Sequence, residues 1–141
     1  MKLYSLLMIM AAGLSVAACN KAESPAEVQH DVADARADAQ RDVAEAQADA
    51  RESMADAQKD VADAQSDHDS DELADAAQDA SETAARGDYK VAVAQAEANH
   101  KVALEKCEAL TGTAQEDCKD RADSELENAK RQAEMRRDGT G

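Results

Sequence analysis

The residues that could do chemistry are three cysteines, three histidines and a large excess of carboxylates. Cys107 and His100 come closest to a nucleophile with a base, but two helical turns would separate them by about 10 Å along the axis, too far for a hydrogen bond. His68 lies between Asp67 and Asp69 without a second histidine or cysteine at ligand spacing, so we interpret it as a solvated side chain. The sequence also lacks a Ser–His–Asp set, a glycine-rich phosphate loop and a two-Cys, two-His zinc spacing. We therefore predict a protein that is not an enzyme and has no cofactor and no metal site.

The carboxylates themselves form a regular pattern. They recur at steps of three or four residues, so on a helix they would form one continuous acidic ridge. The ridge consists of Asp31, Asp34, Asp38, Asp42, Glu45, Asp49, Glu52, Asp56, Asp60, Asp63, Asp67, Asp71, Asp75, Asp79 and Glu82. We interpret it as a solvated face that keeps the chain soluble; the alternatives are a docking strip for a cationic partner and a diffuse sink for divalent cations. No segment has the spacing of an EF-hand loop, so calcium or magnesium binding would be weak.

A second stripe, of alanine and larger apolar residues, predicts the helix that carries the ridge. It consists of Val28, Val32, Ala35, Ala39, Val43, Ala46, Ala50, Met54, Ala57, Val61 and Ala64. Val32, Val43 and Met54 repeat every eleven residues, a period that favours a nearly straight helix over a left-handed coiled coil. The stripe has no apolar member in "QSDHDSDE" at 65–72, which predicts a break there. The helical pattern then resumes at Leu73 and is expected to stop near Gly87, because glycine often ends helices.

The C-terminal part predicts a helical hairpin. Two further helical segments, 89–110 and 114–135, flank the short sequence "TGT". If the chain reverses at Gly112, Cys107 meets Cys118 on the inner faces, so an intramolecular disulfide is expected in an oxidising compartment. Two free thiols or an intermolecular bridge are the alternatives. His100 is expected to pack in the same seam near Glu125.

The N-terminal sequence "MKLYSLLMIMAAGLSVAAC" indicates export. A basic residue precedes an apolar run that is shorter than the roughly 20 residues needed to span a bilayer, which is typical of a secretory signal. The "VAAC" at 16–19 resembles the bacterial lipobox. The resemblance implies that signal peptidase II cuts after Ala18 and that Cys19 carries lipid, palmitate included. The alternative is an ordinary signal peptide that leaves Cys19 as a plain thiol. Asn20 stands where enterobacterial lipoproteins retained at the inner membrane carry Asp, so the resemblance favours the outer membrane.

As a whole, the chain resembles small alanine-rich bacterial envelope lipoproteins. Its layout is similar to that of the murein lipoprotein, with a lipobox cysteine, a short tether and a long helix. It differs in its eleven-residue period and in its end "RRDGTG", which lacks the C-terminal lysine used for attachment to peptidoglycan. The segment "HKVALEKCEALTGTAQEDCKDRAD" resembles a C-terminal part of uncharacterised proteobacterial envelope proteins, and the repeat resembles desiccation-protective helical proteins in composition.

The chain is too poor in large apolar side chains for an ordinary globule. It has no Trp and no Phe, and its net charge of −15 disfavours nucleic acid and anionic head groups. We therefore predict an all-α protein, a lipid-anchored extended amphipathic helix followed by a disulfide-clamped hairpin, with partial disorder or coiled-coil association as alternatives. The expected parts are a signal peptide at 1–18, a lipidated tether at 19–27, the repeat helix at 28–86, the hairpin at 87–136 and a disordered tail at 137–141. The repeat helix alone would reach about 85 Å at 1.5 Å per residue.

These features predict a structural spacer or protein-interaction module of the cell envelope, held at the periplasmic face of the outer membrane. The expected partners are the membrane, through lipid on Cys19, a second copy of the chain through the alanine and valine stripe, and a cationic envelope protein. Two other functions are compatible with the sequence. The chain could be a periplasmic stress protectant or weak cation buffer, or it could inhibit an envelope enzyme with its hairpin.

Overall fold

The computed structural model describes residues 22–139, which form three α-helices. Helix α1 comprises Pro25–Asp67, α2 comprises Ser70–Cys107 and α3 comprises Thr113–Gly139. The prediction of an all-α chain is confirmed. The signal peptide, Cys19 and residues 140–141 lie outside the described residues.

Helix α1 begins at residues that stabilise the start of a helix. Ser24 and Glu27 form a capping box: the Ser24 hydroxyl accepts from the Glu27 N–H at 3.3 Å, and the Glu27 carboxylate accepts from the Ser24 N–H at 2.9 Å. Pro25 occupies the first turn, where its missing N–H is not needed. The tether is therefore shorter than expected, because residues 25–27 are already helical.

The alanine and valine stripe of α1 is the side of the helix that packs. The buried and half-buried residues of α1 are the members of this stripe and Asp31. They lie against α2, which runs antiparallel to α1. Chain association through this stripe would therefore require α1 and α2 to separate.

The break predicted at 65–72 is a reversal of the chain. His68 ends α1 in the left-handed conformation, with φ of 56°. Asp69 then caps α2, its carboxylate accepting from the N–H groups of Asp71 and Glu72 at 2.9 and 3.2 Å. The chain thus folds back on itself, and α1 does not extend as the 85 Å rod that the repeat suggested.

The helix end expected at Gly87 is wrong, because α2 continues through this residue to Cys107. Gly87 instead allows the helices to approach each other closely. A Cβ atom at this position would lie only 3.2 Å from the Cβ of Ala50 on α1. The glycine is thus a packing residue of the α1–α2 interface.

The predicted C-terminal hairpin is confirmed. Helix α3 packs along the second half of α2, and Ala122 and Ala133 of α3 are buried in this interface together with Ala96 of α2. Among residues 22–139, α1 and α3 have no packing contact with each other, so α2 is the central helix. Residues 137–139 belong to α3, and the disordered tail expected from 137 is therefore wrong for these residues.

Candidate functional site

The described chain has two features that could act on other molecules: the disulfide-clamped end and a groove lined by carboxylates. We call the first the base; it consists of Glu23 at the start of α1 and the loop 108–112 between α2 and α3. The N–H of Glu23 donates to the carbonyl of Glu108 at 3.1 Å, which joins the two segments. The opposite end, His68 and Asp69, is the tip.

The predicted disulfide is present between Cys107 and Cys118. Their Cα atoms are 5.7 Å apart, and Cys107 is the one side chain of the described chain that is completely buried. Gly112 supplies the turn with φ of 59°, a conformation that glycine adopts without steric cost. Because both thiols are consumed in this bond, neither cysteine is a nucleophile in the folded chain.

The histidine of the α2–α3 seam has a different partner from the one expected. The Nε2 atom of His100 lies 2.6 Å from a carboxylate oxygen of Asp123, and only 18% of the His100 side chain is exposed. Asp123 lies two residues before the expected Glu125, that is, nearer to the loop. The pair joins α2 to α3.

Ion pairs connect neighbouring helices of the bundle. Lys101 of α2 reaches Asp42 of α1 at 2.6 Å, and Lys130 of α3 reaches Glu97 of α2 at 2.9 Å. The hydrogen bond to Asp42 raises the pKa of Lys101, and the hydrogen bond to Glu97 raises the pKa of Lys130. These exposed pairs contribute little stability individually but favour one alignment of the helices.

The acidic ridge is divided by the chain reversal, and its two parts face each other across a groove between α1 and α2. We call this the acidic groove. Its carboxylates are Asp49, Asp56, Asp60, Asp63 and Asp67 of α1 and Glu72, Asp75 and Asp79 of α2. Its less exposed lining is formed by Ala50, Ala57, Ala64, Ala76, Thr83 and Gly87. Arg86 and Lys90 lie at the end away from the tip.

The other members of the predicted ridge do not line this groove. They are Asp31, Asp34, Asp38, Asp42, Glu45 and Glu52 of α1 and Asp71 and Glu82 of α2. Several of them contact cations: Asp38 contacts Arg41, Asp42 contacts Lys101, and Glu82 contacts Arg86. Glu72 lines the groove but was not part of the predicted ridge. Its position in the first turn of a helix that Asp69 could cap was the sequence feature that could have indicated it.

Residues 22–139 contain no group of three histidine, cysteine or carboxylate side chains arranged to hold a metal ion. Within the same residues, none of the helices is long and apolar enough to cross a membrane. No protein family model, curated protein or solved structure matches the chain.

Proposed function

We propose that the protein is a non-enzymatic lipoprotein of the cell envelope, anchored through Cys19 at the periplasmic face of the outer membrane. We further propose that it acts as a spacer that presents an acidic surface to a cationic partner. The observation that supports this function best is the position of the acidic groove. The groove begins at the tip, and α1 separates the tip from the N-terminal segment that carries the lipobox.

The length of α1 sets the spacing. Its 43 residues give about 65 Å between the base and the tip at 1.5 Å per residue. The helix packs against α2 and starts directly after the capping residue Ser24, so only a few residues separate Cys19 from the bundle. The short tether and the length of α1 therefore limit how far the tip can lie from the membrane.

The charge of the groove sets the class of partner. Eight carboxylates line it against two cationic side chains. A surface of one sign attracts molecules of the opposite sign and accelerates their binding, with a strong dependence on ionic strength. A basic segment of an envelope protein therefore fits the acidic groove better than nucleic acid or an anionic lipid surface does.

The anchor is tested by cell fractionation with metabolic palmitate labelling. We expect the natural protein to be labelled and membrane-bound, and the Cys19→Ser protein to be unlabelled and released. Equal membrane binding of both proteins, with no label in either, would refute the proposed anchor.

The acidic groove is tested by titrating the soluble Cys19→Ser protein with lysozyme as a basic probe. Changing Asp60, Asp63 and Asp75 to asparagine should weaken binding at least several-fold. The matched control changes Asp34 to asparagine and Glu45 and Glu52 to glutamine, which removes the same charge outside the groove. Equal weakening by both triple variants would show that net charge, rather than the groove, attracts the probe.

A further inference from the structure

The base brings the N-terminal segment and the clamped loop to the same end of the molecule. The hydrogen bond between Glu23 and Glu108 places the loop beside the residue that precedes the Ser24 cap. The Cys107–Cys118 bond holds the two helix ends on either side of this loop. The hydrogen bond joins the loop to the start of α1, and the disulfide keeps the ends of α2 and α3 together at this place.

The length of chain before the base limits how far it can lie from a lipid anchor. Cys19 precedes Ala22, the first described residue, by three positions. A fully extended chain spans at most about 3.6 Å per residue, so these positions reach about 11 Å. Lipid on Cys19, which is part of the proposed function and on which this inference rests, would thus keep the base close to the bilayer surface.

The base exposes an apolar side chain at this place. Leu110 is 38% exposed, and among residues 22–139 the one other exposed large apolar side chain is Met135 near the end of α3. The Leu110 N–H donates to the carbonyl of Cys107 at 3.0 Å, which fixes the backbone beside the disulfide. Leu110 is thus presented on a loop whose backbone is hydrogen-bonded to the end of α2.

We propose that Leu110 contacts the lipid surface, so that the protein stands with its base on the bilayer and its tip directed away from it. The surroundings of the loop are acidic: Glu23, Glu105 and Glu108 are close enough that partial desolvation, together with negative charges including that of Glu108, raises the pKa of Glu23. Leu110 alone would not hold such a surface on a membrane. The contact depends on the lipid anchor as a first attachment, and membrane association of this kind usually needs two signals.

Tryptophan fluorescence tests this orientation, because the chain contains no tryptophan. The Leu110→Trp protein would be extracted in its lipidated form and reconstituted into phosphatidylethanolamine and phosphatidylglycerol vesicles with brominated acyl chains. We expect bromine to reduce its emission at least twofold. The matched control is Gln65→Trp, an exposed position near the tip, whose emission should not change.

A second base variant, Thr111→Trp, protects the test against a local folding defect at residue 110 and should also be quenched. Mass spectrometry of each protein separates the possible failures. Acylated protein whose base variants are quenched no more than the Gln65→Trp protein would overturn the membrane contact and leave the proposed anchor intact. An unacylated Cys19 would overturn both.

Discussion

Opening the Cys107–Cys118 bond should destabilise the bundle by an amount that follows from its short loop. The cysteines are 11 positions apart, and closing a loop of this length restricts the unfolded chain enough to contribute about 3 kcal/mol at 25 °C. With a urea dependence of about 1–3 kcal/mol per molar, typical of small domains, reduction should lower the unfolding midpoint by about 1–3 M.

The measurement is urea unfolding followed by far-ultraviolet circular dichroism, with and without dithiothreitol. The Cys19→Ser background removes the third thiol. The control changes Cys107 and Cys118 to alanine, because a serine at the fully buried position 107 would bury an additional hydroxyl. The unfolding midpoint of the alanine variant should match that of the reduced protein and should not change when dithiothreitol is added. Coincident midpoints for the oxidised and reduced proteins would show that the disulfide does not stabilise the bundle.

Three further predictions concern the helix interface and the charges. Gly87→Leu should lower the free energy of unfolding by about 1–3 kcal/mol, because even a Cβ atom at position 87 would lie 3.2 Å from the Cβ of Ala50. Ala37→Leu, on the exposed side of α1, should change it by less than about 0.5 kcal/mol. Urea midpoints that rank the two variants the other way would contradict the packing. The folded-state pKa of Glu23 is raised above its ordinary value of 4.5, so its charge opposes folding at pH 7, and this effect is lost as the pH falls through the raised pKa towards the ordinary one. The melting temperature of the natural protein relative to that of Glu23→Gln should therefore rise as the pH is lowered from 7 to 4, and a constant difference would contradict the assignment. Raising sodium chloride from 10 to 500 mM should increase the melting temperature, because salt screens the carboxylates of α1 and α2 from one another, and a decrease would show that ion pairs dominate.

The sequence predicted which side of α1 would pack, because the periodicity of its alanine and valine residues is a local property of the helix. It also predicted the register of the α2–α3 hairpin, since Gly112 and the two cysteines leave little freedom in the alignment. Both features depend on residues that are close in sequence.

The partner of α1 was missed because the packing face of α2 carries a weak signal. Gly87 and Ala98 lie on this face, and neither is large enough to mark a core from the sequence alone. The low helix propensity of Gly87 predicts a helix end. Its role in packing comes instead from the close approach of Ala50, which lies on a segment distant in sequence. The fold-back at His68 and Asp69 was predicted as a break, but a break does not show the direction in which the chain continues.

The acidic groove could likewise be predicted only in part from the sequence. The spacing of the carboxylates correctly indicated exposed acidic faces, and only the chain reversal places Asp60 and Asp75 on opposite sides of one groove. Its carboxylates remain exposed, as expected of a solvated face.

The most direct test of the central claim is the intact mass of the protein extracted from cell membranes. We expect a chain that begins at Cys19 and carries the mass of attached acyl chains, with the Cys107–Cys118 disulfide intact. A chain that begins at another residue without acyl mass, or one recovered in the soluble fraction, would show that the protein is not a lipoprotein.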